Sequence, residues 1–178
     1  MTYYIIMHGT LGSGKSTCAK KLTKILNAER IDIDAVLRDN KLDHQASDSA
    51  CIPAKNFIKG LDIVIPLAKD LLKKNKIAIF DGCLYHKEVL DYLIEQLKFP
   101  NYTFTLKTKL ETCIKRDQNR ERTIGEGVAR EVYDLVKEND FGIIINTDDK
   151  TVDETLKEIR DCLPTWINKI IVDNTKQK

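Results

Sequence analysis

The sequence predicts an α/β protein built on a five-stranded parallel β-sheet with helices on both faces. Short apolar runs alternate along the chain with longer segments of helical periodicity, the pattern of repeated βαβ units. Each apolar run is also separated from the next by a connection of helical length, which joins parallel strands rather than hairpins. The first strand is expected at residues 2–7. A helix follows at 15–26, with Ala19, Leu22 and Leu26 on one face. A short second strand spans 30–34. A long insert comes next: residues 41–51 are polar and loop-like, and from Pro53 a helical pattern sets Phe57, Leu61, Val64, Ala68 and Leu71 three or four residues apart. Pro66 is expected to kink this helix or split it in two. The third strand, Ile77-Ala78-Ile79-Phe80, is apolar on both faces and so internal to the sheet. The fourth and fifth strands are placed at 102–106 and 142–145, with helices at 88–97, 110–119, 128–138 and 152–163.

The 178 residues suit a single domain, with 42% hydrophobic and 31% charged residues in a soluble, globular balance. The formal net charge of +2 gives no argument for a nucleic-acid track or a membrane surface. Cys18, Cys51, Cys83, Cys113 and Cys162 are odd in number and show no C-x-x-C spacing, so free thiols in a reducing compartment are expected and a zinc site is not. The apolar stretch at 3–7 is too short for a leader, and no run approaches the roughly 18 apolar residues that cross a bilayer. The expected location is cytoplasmic, and the polar tail at 173–178 is expected to fray.

Between the first strand and the first helix stands Gly9-Thr10-Leu11-Gly12-Ser13-Gly14-Lys15-Ser16, a full match to G-x-x-x-x-G-K-[ST]. Phosphate binding needs this arrangement. Glycines let bare backbone approach the ligand. The loop N–H groups form an anion nest, and the following helix adds its unpaired N–H groups and positive dipole end. Lys15 reaches the β- and γ-phosphates, the Ser16 hydroxyl binds Mg²⁺, and Thr17 is placed for the α-phosphate. Average composition gives an accidental match in about 1% of such chains or fewer.

Three further segments carry candidate chemistry. Glu29-Arg30-Ile31-Asp32-Ile33-Asp34 alternates like a strand and ends in Asp34. Parallel sheets bind ligands outside the carboxyl ends of their strands, so Asp34 suits a substrate hydroxyl and Arg38 an anionic group on that substrate. The competing readings are an N-cap for Asp34 and a wet edge-strand face for Asp32. Ile77-Ala78-Ile79-Phe80-Asp81 ends in the carboxylate that holds Mg²⁺ in P-loop enzymes, against a simple turn before Gly82. Cys83 reads as a buried neighbour, since no basic residue adjoins it. Finally, Arg116, Arg120 and Arg122 precede Gly125 and Gly127. Arginines on a mobile lid at about 116–127 can clamp a transferring phosphoryl group, with Arg120 first, then Arg116, then Arg122; the competing reading is a solvated charged helix.

With these pieces placed, the chain resembles the small P-loop kinases of the zeta-toxin-like and AAA_33 group, which includes chloramphenicol phosphotransferase, the kinase domain of polynucleotide kinase, and gluconate and adenylylsulfate kinases. The likeness is carried by residues 9–17, 33–38, 79–82, 113–122 and 125–136 and covers nearly the whole chain. It implies a P-loop NTPase three-layer fold with strand order 2-3-1-4-5, and it places Asn146-Thr147-Asp148 near the adenine. Arg38 stands four residues after Asp34, where polynucleotide and adenylylsulfate kinases have an arginine at three. The stretch 41–51 follows no pattern of the group and is expected to set substrate specificity.

The expectation is one kinase domain over 1–178, with a substrate insert at about 41–75. ATP and Mg²⁺ are expected on the loop, with a hydroxyl acceptor at Asp34, a small molecule ahead of a nucleic-acid 5′-hydroxyl or a nucleotide. The rival is a nucleotide-dependent switch that hydrolyses ATP slowly. No membrane partner is expected, and the assembly is a monomer or homodimer.

Overall fold

A computed structural model describes residues 2–46, 49, 51–119, 123–137 and 139–164. Twelve elements follow one another in these residues: β1 (Tyr4–Gly9), α1 (Lys15–Leu26), β2 (Glu29–Asp32), α2 (Ile33–Asp39), α3 (Ala54–Lys73), β3 (Ala78–Asp81), α4 (Lys87–Leu97), β4 (Asn101–Lys107), α5 (Leu110–Gln118), α6 (Glu126–Lys137), β5 (Ile143–Asn146) and α7 (Val152–Asp161). The five strands form one sheet in the order β2-β3-β1-β4-β5, and every pairing is parallel. The sheet, its direction and its order are those expected.

Alternation along β1 divides the core in two. Tyr4 and Ile6 face a cluster with α3, α4 and α6 residues such as Phe57, Leu61, Leu90 and Val132. Tyr3, Ile5 and Met7 face Ala19 and Leu22 of α1 and Leu156 and Ile159 of α7. Strands buried on both faces read as continuous apolar runs, which is why β1 and β3 stand out in the sequence. α7 is fixed at its start by a capping box: Thr151 Oγ1 accepts from the Glu154 N–H at 3.2 Å, and the Glu154 carboxylate accepts from the Thr151 N–H at 2.7 Å.

The structure corrects two local expectations. The second strand stops at Asp32, and Ile33 and Asp34 already belong to α2. The Asp32 carboxylate accepts from the Ala35 N–H at 3.1 Å and caps that helix. A polar–apolar alternation over so few residues fits a strand end and a helix start equally well. The second correction is Pro66, which lies inside one 20-residue helix instead of splitting it. It sits on the exposed face, where water can satisfy the carbonyl that loses its partner.

Candidate active site

The strand ends place the chemistry. β1, β2 and β3 are in register so that Asp32 pairs across from Asp81, and Met7 from Asp81 on the other side. The turn from β1 into α1 therefore sits beside Asp81, with Asp32 one strand further out.

That turn has the geometry of an anion cradle. Gly12 adopts φ +78°, and a Cβ there would lie 2.7 Å from the Cys113 carbonyl oxygen of α5, so only glycine fits. Gly14, at φ +92°, is the left-handed N-cap of α1 and offers no side-chain cap, while nothing lies within 4 Å of the position its Cβ would take. The first N–H groups of α1 thus open onto free space, which suits a phosphate. The loop's outward carbonyls are tied down from behind. Arg116 donates to the Gly12 carbonyl at 3.1 Å and to the Thr147 carbonyl at 3.3 Å. The Thr147 hydroxyl donates to the Ser13 carbonyl at 3.1 Å, and Thr10 Oγ1 meets Cys113 Sγ at 3.2 Å. Lys15 is 5% exposed and donates to the Thr10 carbonyl at 3.2 Å.

Arg116 was expected to close over the transferring group. It stands on α5, as its helical pattern suggests, with its guanidinium bonded to one carbonyl of the phosphate loop and one just after β5. It also lines a small cavity of about 180 Å³ with Ser13, Gly14, Thr17, Thr147 and Lys150, on the flank of the loop. Arg120 and Arg122 lie outside the described residues. The segment beyond them is anchored: the buried Asp117 carboxylate accepts from the Ile124 N–H at 2.9 Å and the Gly125 N–H at 3.1 Å. α6 then starts at Glu126, two residues earlier than its sequence pattern suggests.

Ser16 donates to Asp81 Oδ1 at 3.0 Å. Asp81 is 1% exposed, and its other oxygen accepts from Arg30 Nε at 2.7 Å. Arg30 Nη2 also donates to Asp32 Oδ2 at 2.8 Å. A hydroxyl and a carboxylate oxygen that converge in this way are hard oxygen donors, the set that suits Mg²⁺ held by few protein ligands and several waters. Arg30 has no role in the sequence reading, and Asp32 is read there as a wet edge-strand face. Strand period puts them on one face, which was the available signal, but nothing in the pattern shows which carboxylate β3 sets beside them.

Asp34 opens onto a cavity of about 520 Å³ whose walls include Leu11, Leu37, Phe57, Cys83, Tyr85 and Val132. Water reaches its side chain from the cavity side, while protein crowds it on the others. That crowding raises its pKa above the ordinary carboxylate value. Lys15 opposes the shift, Asp32 and Asp81 add to it, and the Cys83 N–H opposes it again. A carboxylate with raised proton affinity beside a phosphate cradle can take a proton from a hydroxyl. Arg38 reaches the same cavity, and its guanidinium stands 3.6 Å from Asp39. Cys83 is buried, its thiol pushed up to about 11 by desolvation, and it donates to the Gly9 carbonyl at 3.4 Å.

The insert forms the cavity's far wall through Asp43, Gln45 and Ile52. It is held in place by the Tyr85 hydroxyl, which accepts from the Ile52 N–H at 2.6 Å, by Asn56 donating to the Leu42 carbonyl at 2.9 Å, and by a bond from Ser49 to Glu131 of α6. The insert and α6 therefore line the cavity together. All five cysteines are free. Among the described residues no group of three or more His, Cys, Asp and Glu side chains is set to hold a metal, and no helix is long and apolar enough to cross a membrane.

A family model described as an AAA domain, AAA_33, matches residues 5–139. A shikimate kinase of Clostridium botulinum (strain Okra / Type B1) is 31% identical over 121 residues, and the match spans 66% of this chain and 66% of that enzyme. Among solved structures, a sugar kinase from Janibacter sp. HTCC2649 superposes with a TM-score of 0.69 at 15% identity, covering 89% of this chain and 92% of that one. A gluconokinase from Sinorhizobium meliloti 1021 gives 0.66 at 12% identity, over 99% and 97%. A chain of the Pnkp1/Rnl/Hen1 RNA repair complex gives 0.61 at 18% identity, over 79% of this chain and 47% of that one. These superpositions share the sheet and its flanking helices. The family match spans most of the chain, phosphate loop and strand-end carboxylates included, and on it the protein belongs to the AAA_33 family of AAA-domain proteins.

Proposed function

We propose that the protein transfers the γ-phosphoryl group of ATP to a hydroxyl of a small molecule held in the cavity at Asp34. The observation that carries this is the position of Asp34: it lines a cavity of about 520 Å³ and lies close enough to Lys15 for their charges to interact. The volume falls in the range of small-molecule sites. The shikimate kinase relative and the sugar and gluconate kinase neighbours favour the same class of acceptor.

In this reading the loop N–H groups and Lys15 bind the β- and γ-phosphates. Ser16 and Asp81 hold Mg²⁺, which when bound neutralises charge on the phosphate oxygens. Asp34 orients the acceptor hydroxyl and takes its proton. The acceptor oxygen forms the new bond to the γ-phosphorus, the bond to the β,γ-bridging oxygen breaks, and ADP leaves with that electron pair. Arg116 and Thr147 keep the loop in shape. Arg120, the arginine proposed to meet the transferring group, supplies positive charge from the lid.

The test is ADP release in the presence of ATP and Mg²⁺, screened over hydroxyl-bearing metabolites with 5′-hydroxyl oligonucleotides alongside. Release stimulated by a small hydroxyl compound supports the reading. Stimulation by oligonucleotides alone moves the acceptor to nucleic acid, and a slow rate indifferent to every acceptor makes the protein a nucleotide switch.

A further inference from the structure

We propose that Arg30 is a positioning residue for the cation site, holding the Asp81 carboxylate so that one oxygen stays turned toward Ser16. The inference rests on the nucleotide site of the preceding section. It goes beyond it by giving a role to a residue that neither the phosphate loop nor the acceptor cavity contains.

Asp81 has two oxygens, and the structure divides them. Oδ1 accepts from Ser16 at 3.0 Å. Oδ2 accepts from Arg30 Nε at 2.7 Å and lies 2.5 Å from Nη2. Turning the carboxylate out of this plane would break both sets of bonds, so the guanidinium fixes the plane in which one oxygen meets Ser16. Nη2 also reaches Asp32 Oδ2 at 2.8 Å, and Asp32 Oδ1 caps α2. One planar fork thus ties the end of β3 to the end of β2 and to the helix that carries Asp34. A lysine lacks this fork and meets the pair as a single point charge.

Electrostatics points the same way. Asp81 is almost fully buried, and Asp32 and Asp34 lie near enough to act on one another's charge. Arg30 is the cation bonded to two of these three. A guanidinium near a cation site can instead compete for the carboxylate. Here it engages Oδ2, and the oxygen on the loop side is the one that meets the Ser16 hydroxyl.

The two roles predict opposite results. Mn²⁺ binding in the presence of ADP, followed by loss of the free-Mn²⁺ paramagnetic signal, needs neither acceptor nor turnover. Arg30→Gln is expected to weaken Mn²⁺ binding by 10- to 100-fold, the usual loss when a residue that orients a metal ligand is removed. Arg30→Lys is expected to fall between Arg30→Gln and the wild type. A folded Arg30→Gln protein with unchanged or tighter Mn²⁺ affinity overturns the proposal, and a lowered melting temperature with unchanged affinity reduces Arg30 to fold support. If Arg30→Gln fails to fold, Arg30→Lys decides: wild-type Mn²⁺ affinity without the fork overturns the proposal. Wild-type protein that binds no Mn²⁺ with ADP would remove the nucleotide site itself, a different failure from variants that match a binding wild type.

Discussion

Replacing Asp34 with asparagine separates catalysis from folding, because the structure assigns the helix cap to its neighbour. Asp32 accepts from the Ala35 N–H, so Asp34→Asn leaves the start of α2 intact. The side chain keeps its volume and loses its charge. If Asp34 takes the acceptor proton, turnover should fall by a factor on the order of 10² to 10⁴, the usual range for a positioned acid–base group, or about 3–5 kcal/mol in the barrier. ATP affinity should hardly change, since the triphosphate is held by the loop. Stability should move the other way. Crowding by protein on the sides away from the cavity raises the pKa of Asp34 even though water reaches its side chain, with Lys15 opposing and Asp32 and Asp81 adding. Between the ordinary value near about 4 and that raised value, the folded state binds more protons than the unfolded chain. Wild-type stability therefore falls as pH rises through that window, and Asp34→Asn removes the fall. At neutral pH the variant should melt no lower than wild type. The wild-type rate should also lose activity on the acid side at a pH above the ordinary carboxylate range. The assay is ATP affinity, acceptor-dependent rate and thermal midpoint on one preparation. A variant with intact affinity and a near-wild-type rate would refute Asp34 as the base.

Three further outcomes are expected. Lys15→Ala should abolish phosphoryl transfer and keep the fold, by circular dichroism, because among the described residues the ammonium donates to a loop carbonyl of its own segment; transfer near the wild-type rate would remove the loop mechanism. Asp81→Asn should raise the Mg²⁺ concentration for half-maximal activity, since an amide holds the cation or its water less well; an unchanged titration would return Asp81 to a turn-forming role. Hydrogen exchange should show residues before Ile124 gaining protection when a non-hydrolysable ATP analogue is added, while the Ile124 and Gly125 amides, already bonded to Asp117, change little; equal exchange throughout would count against a closing lid.

The sheet was legible because its strands are buried on both faces and each crossover is long enough to exclude a hairpin. The helix at Lys15–Leu26 was legible to the residue, since the phosphate loop fixes its start and Asn27, at φ +48°, its end. Its near neighbours were not. The pattern Arg30-Ile31-Asp32-Ile33-Asp34 has one periodicity for a strand end and another for a helix start, and the Asp32 cap decides between them only in three dimensions. The split considered at Pro66 does not occur, because a helix-breaking residue costs little where its unpaired carbonyl meets water. The place of the loop before α1 and of Asp81 at the end of β3 was readable from local motifs. Arg30 and the brace role of Arg116 were not, because each depends on a partner from a distant strand or loop: Asp81 for Arg30, Gly12 and Thr147 for Arg116.

The central claim is transfer of a phosphoryl group from ATP to a hydroxyl in the cavity at Asp34. The most direct measurement follows γ-³²P from ATP in the presence of Mg²⁺ and the hydroxyl compound that most stimulates ADP release. The label should appear on the acceptor as a phosphate ester, in step with ADP, and both should be lost together in Lys15→Ala. Label recovered only as inorganic phosphate, at a rate no acceptor changes, would contradict the account.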